Sequence, residues 1–196
     1  MPADATRRRL RTAALELFVE QGVVETTTRD LAKKAGIAEG TIYRHFESKD
    51  DLVRDLFCDH YVRFGADLNR IQAETAGGID AKLRAMIDFM CRLYDEEPTL
   101  YRFLLLVQHA ALPNIRTAPT SPAVIFRGLI SRAIEQGEIP EQNPALAASM
   151  VLGAIIQPAL SLIYGSLTGT MSNFAPAIAS ACSALLRAPR QHLRAA

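Results

Sequence analysis

The chain of 196 residues contains no tryptophan, only three cysteines and only four histidines. Cys58, Cys91 and Cys182 lie too far apart in the sequence for a zinc-ligand pattern or a disulfide framework. Cysteines of this kind are most simply small hydrophobic side chains in a reducing compartment. We therefore expect neither a metal site nor a disulfide.

Sequence patterns that carry catalysis are missing as well. The chain has no glycine-rich phosphate loop, no nucleophile elbow and no His-Glu-x-x-His spacing. Its histidines, which are His45, His60, His109 and His192, do not cluster. We predict that the protein is not an enzyme, has no catalytic residues and needs no cofactor.

Neither sign of charge is in excess. The chain has 22 lysines and arginines and 21 aspartates and glutamates, so its net charge is +1. Affinity for a polyanion must therefore come from a local arrangement of charge. One local run holds Arg7, Arg8, Arg9 and Arg11. We interpret it either as an arm that reaches DNA phosphates or as solvated charge. No apolar signal segment follows this run, so we expect a cytoplasmic protein.

Alternation of apolar and polar residues, which marks a half-buried strand, is also lacking. Helix-forming residues dominate, and apolar residues recur at helical spacing between glycine and proline breaks such as Gly77-Gly78. This pattern predicts an all-α fold of about nine helices. We expect an N-terminal three-helix domain over residues 1–53 and a C-terminal helical domain over residues 54–196.

Charged residues are absent from Gln142 to Leu186. So long an uncharged tract must face lipid, the protein's own core or a second copy of the chain. Residues 145–164 reach the length of about 20 that spans a bilayer, but Gln157-Pro158 interrupts them and no basic residue precedes them to fix an orientation. We predict a homodimer through two helices at about 144–164 and 174–187, and no membrane association.

The most informative segment runs from Thr27 to Lys49. Thr27 or Thr28 can cap a helix, and Leu31, Ala32 and Ala35 then form an inward stripe. Gly36 follows where a positive φ ends the helix, and Ile42 and Phe46 point to one side of a second helix. Small residues around the turn let the two helices cross closely, as a helix-turn-helix requires.

The other face of the second helix is polar and partly aromatic. A helical hairpin with a merely solvated face is the alternative, but the side chains here suit phosphates and base edges. They are Thr41, Tyr43, Arg44 and His45, followed by Lys49. We therefore predict that this helix enters a groove of duplex DNA.

From Arg7 to Phe57 the sequence resembles the TetR-type transcriptional repressors. The resemblance rests on Phe18-Val19-Glu20-Gln21-Gly22, on Thr26 to Ala32, on Ala35-Gly36-Ile37 and on Gly40-Thr41-Ile42-Tyr43-Arg44-His45-Phe46. It implies that DNA is approached by Thr28, Arg29, Glu39, Gly40, Thr41, Tyr43, Arg44, His45 and Lys49. Ala38 stands where many relatives carry a serine that caps the helix. Glu39 brings a negative charge toward phosphates, and it either accepts from a cytosine amino group or, as we favour, is solvated.

The middle of the chain is rich in large apolar residues on several helices, which suits either a plain core or a hydrophobic cavity with a few polar groups. The resemblance implies that this region binds an inducer. The polar residues we expect in such a pocket are Tyr94, Tyr101, Arg102, Gln108, His109 and Gln157. Because few charges cluster there, we expect a small, mostly apolar inducer.

Together these features predict a ligand-responsive transcriptional regulator. We expect a repressor that binds a palindromic double-stranded DNA operator as a homodimer and leaves it when the inducer binds. A thiol-based redox regulator and a membrane-associated helical protein are the alternatives.

Overall fold

The computed structural model describes residues 3–111 and 119–188, with side chains for residues 4–105 and 119–188. These residues form nine α-helices and no strand, which confirms the predicted all-α fold. The helices are α1 (Ala3–Glu20), α2 (Thr28–Ala35), α3 (Glu39–Ile42), α4 (Lys49–Glu74), α5 (Ile79–Glu96), α6 (Pro98–Ala111), α7 (Pro122–Glu135), α8 (Pro144–Ile163) and α9 (Met171–Arg187).

Local chemistry sets most helix ends. Asn143 caps α8 by accepting from the Ala145 and Leu146 amides, and Pro144 occupies the first helical position. Ser48 caps α4 by accepting from the Asp51 amide at 3.1 Å.

The last helix begins earlier than the sequence predicts, at Met171 instead of about residue 174. Its first amides are satisfied from another helix, because Asp95 near the end of α5 accepts from Met171 N at 2.9 Å and from Ser172 N at 2.8 Å. A carboxylate in this place also interacts favourably with the helix dipole. Thr170 adds a local cap, because its hydroxyl accepts from the Asn173 amide at 3.3 Å.

The chain forms two compact units. The first comprises the chain up to Arg63 together with α6. Its core joins α1, α2, α3, the first half of α4 and α6, and includes a cluster of three phenylalanines. Phe103 stacks on Phe18 with ring centroids 6.3 Å apart and is tilted against Phe57 at 6.1 Å.

The second unit comprises Phe64–Glu96 and the described residues from 119 onward. Its α5 and α9 run antiparallel and are held at both ends. At one end Asp95 caps α9, and at the other Asp80 pairs with Arg187 at 2.5 Å. The Arg187 guanidinium and the Ser183 hydroxyl lower the pKa of the Asp80 carboxyl.

Gly65 on α4 lies against a backbone segment of the second unit. A Cβ at this position would stand 2.0 Å from the carbonyl oxygen of Thr120. We predict that Gly65→Ala lowers the free energy of unfolding by about 1–3 kcal/mol or more, because the obstacle is backbone and cannot rotate away. Thermal unfolding followed by circular dichroism measures the effect.

Gly128→Ala in α7 is the matched control. Its Cβ would meet only the end of the Arg132 side chain, at 3.4 Å. Since alanine is the better helix former, this variant should unfold at the wild-type temperature or above it. Equal melting temperatures for the two variants would contradict the close approach at Gly65.

Candidate nucleic-acid interface

Two short helices, α2 and α3, pack against each other in the first unit. Thr27 caps α2 in a reciprocal capping box, in which its hydroxyl accepts from the Asp30 amide and the Asp30 carboxylate accepts from the Thr27 amide. The same Thr27 contacts lower the pKa of Asp30. Gly36 ends the helix at φ 64°, in the left-handed region that the turn requires.

The inward faces of these helices are apolar, as the sequence predicts. Leu31 is fully buried, and Ile42 and Phe46 are 1% and 3% exposed. Only Glu39–Ile42 is regular helix, but the chain continues to turn in the same sense. The amides of His45 and Phe46 donate to the Ile42 carbonyl at 2.9 and 3.0 Å. The segment up to Phe46 is thus one surface element fixed from beneath.

The outward face carries the residues expected to contact DNA. Tyr43 is 56% exposed, which is unusual for so large a side chain. Arg29, Gly40 and Arg44 are exposed, and Thr41 and His45 are half-buried. The fold therefore brings the polar residues of both helices to one accessible surface of the first unit.

A side-chain hydrogen bond links the starts of the two helices. The Thr28 hydroxyl donates to the Glu39 carboxylate at 2.7 Å. Thr28 is half-buried and Glu39 is exposed. Ala38 precedes Glu39 at the cap position of α3 and makes no side-chain cap. Glu39 is thus held by its neighbour on α2 instead of extending freely into solvent.

Lys49 occupies a different environment from the rest of the predicted set. Its ammonium donates to three backbone carbonyls of the segment between α1 and α2, at 2.7 Å to Val23, 3.2 Å to Val24 and 2.9 Å to Thr26. The side chain is half-buried. Its chemistry in the free protein is that of an internal cross-link.

The arginine run near the start of the chain is also partly committed to internal contacts. Because α1 begins at Ala3, these arginines lie within a helix, and the predicted arm is not present over Arg7 to Arg11. Arg7 pairs with Asp55 at 2.8 Å and lies over the Phe46 ring, and Arg11 pairs with Asp55 and Asp59. Arg8 and Arg9 are exposed.

The six residues expected in a ligand pocket are distributed over both units. Tyr101 is 3% exposed on α6 in the first unit, and Tyr94 is 8% exposed on α5 in the second. The Arg102 Nε atom is buried without a hydrogen-bond partner among the described residues. Gln157 is exposed on α8, which fits an outward-facing residue better than a pocket lining. The side chains of Gln108 and His109 lie outside those that the structure describes.

The cysteines show no sign of activation. Burial raises the pKa of Cys91 to about 12 and that of Cys182 to about 11, and it also raises the pKa of the half-buried Cys58 thiol. Across residues 3–111 and 119–188, no three His, Cys, Asp or Glu side chains come together as a metal-binding group.

Comparison with known proteins agrees with this geometry. Residues 10–56, which contain α2 and α3, match the family model described as bacterial regulatory proteins of the tetR family. The chain is 36% identical over 69 residues to the HTH-type transcriptional regulator YvkB of Bacillus subtilis, an alignment that covers 35% of this chain and 36% of that protein. It is 27% identical over 150 residues to the fatty acid metabolism regulator protein of Bacillus subtilis, covering 73% and 76%.

The fold is shared with solved regulators. The structure of FadR from Bacillus subtilis in complex with stearoyl-CoA superposes with a TM-score of 0.73 at 22% identity, covering 91% of this chain and 97% of that one. Residues 10–56 are thus similar to the helix-turn-helix region of DNA-binding transcriptional regulators. The similarity of these residues is to the tetR family of bacterial regulatory proteins.

The exposed phenol of Tyr43 generates the first prediction for this surface. Tyr43→Ala should weaken binding to a duplex selected by the wild-type protein by roughly tenfold, equivalent to about 1.4 kcal/mol. The side chain makes little internal packing, so the melting temperature should stay within error. Fluorescence anisotropy of the labelled duplex measures the affinity.

Tyr164→Ala serves as the control, because Tyr164 is 72% exposed in the second unit, after α8. Its loss should leave affinity for the duplex unchanged. Wild-type affinity in the Tyr43 variant would remove that residue from the DNA-contacting surface.

Proposed function

We propose that this protein is a transcriptional regulator of the TetR type, namely a ligand-responsive repressor that binds a near-palindromic operator as a homodimer. Residues 1–53 form the DNA-reading part and residues 54–196 form the part that senses a ligand and dimerises. The DNA contacts are assigned to Thr28, Arg29, Glu39, Gly40, Thr41, Tyr43, Arg44 and His45. The observation that carries this proposal is the polar, accessible face of α2 and α3 above a buried apolar one.

The dimer interface is proposed on the uncharged outer faces of α8 and α9. Met150 is 43% exposed and Leu146 is 49% exposed on α8. On α9, Ala177, Ala181 and Ala184 are exposed small residues that permit close helix approach. Two-fold symmetry would then place the two reading surfaces about 34–36 Å apart or at a multiple of it, matching successive turns of B-DNA.

Some small residues of the same two helices are excluded from that interface. Ala147, Ile155 and Ala159 are fully buried within their own unit. They pack the inside of the protomer, so their apolar character needs no partner to explain it. The proposed contact is therefore limited to the outer half of each helix.

A membrane-associated protein is the alternative for these faces. Of the helices among the described residues, α8 alone is long and apolar enough to cross a bilayer, with a mean hydropathy of 1.9 and 28% of the tested window buried. The adjoining outer face of α9, however, carries the polar residues Asn173 and Ser180. Since lipid would leave such groups without partners, a second protein copy is the better occupant. We accordingly assign the protein to the cytoplasm.

The proposed inducer is a molecule with a fatty acyl chain, whose tail supplies the mostly apolar character that the sequence predicts. Two observations support it: the similarity to a fatty acid metabolism regulator, and the shared fold with a regulator solved with stearoyl-CoA. The buried, unpartnered Nε of Arg102 is a donor suited to the oxygen of an acyl group. Thiol-based sensing is disfavoured, because all three cysteines have raised pKa values and thus little thiolate.

The dimer is tested with a charge placed on the outer face of α9. Ala181→Glu should convert the dimer into a monomer, because a buried carboxylate without a partner costs several kcal/mol. Light scattering on a sizing column gives the mass. Ala66→Glu, at an exposed position of α4, is the control and should remain dimeric. A wild-type protein that elutes as a monomer would contradict the proposed interface.

The inducer class is tested by titrating stearoyl-CoA into the complex of protein and selected duplex. We expect release of the duplex by stearoyl-CoA and no release by coenzyme A alone, because only a difference in affinity between the two forms can shift binding. Isothermal calorimetry without DNA measures the direct interaction. Absence of heat and of release across acyl chain lengths would rule out this ligand class.

A further inference from the structure

We propose that Lys49 is a positioning residue that clamps the segment between α1 and α2 and so presents the start of α2 to DNA. The proposal rests on the DNA-reading function proposed above. In this role Lys49 supports DNA binding by fixing the turn before α2, and it does not itself contact a phosphate.

The geometry of the ammonium carries the argument. A lysine has three N–H donors and no acceptor. In Lys49 these face three carbonyl oxygens, those of Val23, Val24 and Thr26, at 2.7, 3.2 and 2.9 Å. The donors are thus matched in number by acceptors that lie 23 to 26 residues away in the chain. An ammonium so occupied has no N–H left for a phosphate oxygen.

The acceptors belong to a segment that lacks regular structure. Between Glu20 and Thr28 the chain turns through Gly22, at φ 89°. Within this turn the Gly22 carbonyl accepts from the buried Thr26 hydroxyl at 2.7 Å and from the Thr26 amide at 3.3 Å. Carbonyls outside helices need other partners, and Lys49 supplies a shared one for three of them. The cross-link ends one residue before Thr27, which caps α2.

The placement of Lys49 at the first position of α4 points the same way. A positive charge at a helix N-terminus opposes the helix dipole. The two residues that follow, Asp50 and Asp51, have the favourable sign for that place. The three carbonyls offset the unfavourable position of the ammonium. The same three hydrogen bonds link the start of α4 to the residues that precede α2.

The consequence concerns Thr28 and Arg29, the first two residues of α2. The orientation of these two residues depends on the conformation of the turn that precedes α2. Without the clamp, the turn samples more conformations, and binding DNA must then order it. Loss of Lys49 should therefore reduce affinity and relax base preference at the positions read from α2, while the number of phosphate contacts stays the same.

The experiment compares Lys49→Met, Lys49→Arg and a control, Lys33→Met, in the full-length protein. Methionine keeps an unbranched apolar stem and removes the donors. Arginine keeps the charge, but its planar fork does not match three converging carbonyls and would serve a phosphate well. Lys33 is exposed on α2. The probe is the duplex that the wild-type protein enriches from a random pool, and each variant also undergoes its own selection.

We expect Lys49→Met to bind the probe about tenfold more weakly, with an unchanged slope of log affinity against log salt. Its selected sequences should be degenerate at the bases nearest α2. Lys49→Arg should show the same degeneracy in a milder form, and Lys33→Met should keep the wild-type preference. Amide hydrogen exchange of residues 22–27 in the free protein should be faster in Lys49→Met than in wild type.

Loss of one phosphate contact would lower the magnitude of the slope of log affinity against log salt by about 0.9. Such a change in Lys49→Met would overturn the proposal. Wild-type affinity and base preference in Lys49→Arg would overturn it as well. Unchanged exchange at residues 22–27 would also overturn it. If Lys49→Met does not fold, the Lys49→Arg comparison decides alone. A wild-type protein that enriches no duplex would instead refute the proposed DNA reading, and the positioning role with it.

Discussion

The burial of Ile42 and Phe46 is the constraint on which the exposed polar surface of α2 and α3 depends. A helix of four residues has no stability of its own, because nucleation costs more than so few hydrogen bonds return. Its shape is therefore imposed by the core beneath it, to which α1, α2 and α4 contribute. That core turns the polar residues of α3 outward as a fixed set, so the accessible chemistry at Tyr43 follows from the apolar packing below.

Ion pairs and hydrogen bonds to backbone carbonyls then link α1 and the turn before α2 to α4. Arg7 and Arg11 join α1 to Asp55 and Asp59 on α4, and Lys49 joins α4 to the turn before α2. Pairs of this kind add little stability when exposed. Their effect is geometric, since each removes a direction in which α1 or α2 could shift against α4. The basic residues near the start of the chain are thereby divided between holding the domain together and facing solvent.

The second unit is organised by a different rule. Its α5 and α9 are fixed at both ends by Asp80 and Asp95, while the outer sides of α8 and α9 carry small or apolar residues without charge. The charged side chains that link α5 to α9 thus lie near the ends of these two helices. The uncharged faces that remain are what a symmetric contact between two copies needs, because residues of such a face meet their own counterparts.

The sequence alone determined the helical class, most helix boundaries and the helix-turn-helix, because caps, glycine turns and apolar spacing act over a few residues. Leu31, Ile42 and Phe46 are buried as their spacing indicates. Only the tertiary structure decided what Lys49, Arg7 and Asp95 bind. Those partners lie 23 to 77 positions away in the chain. The charge of a side chain is known from the sequence, whereas its interaction partner depends on which distant residues the fold brings next to it.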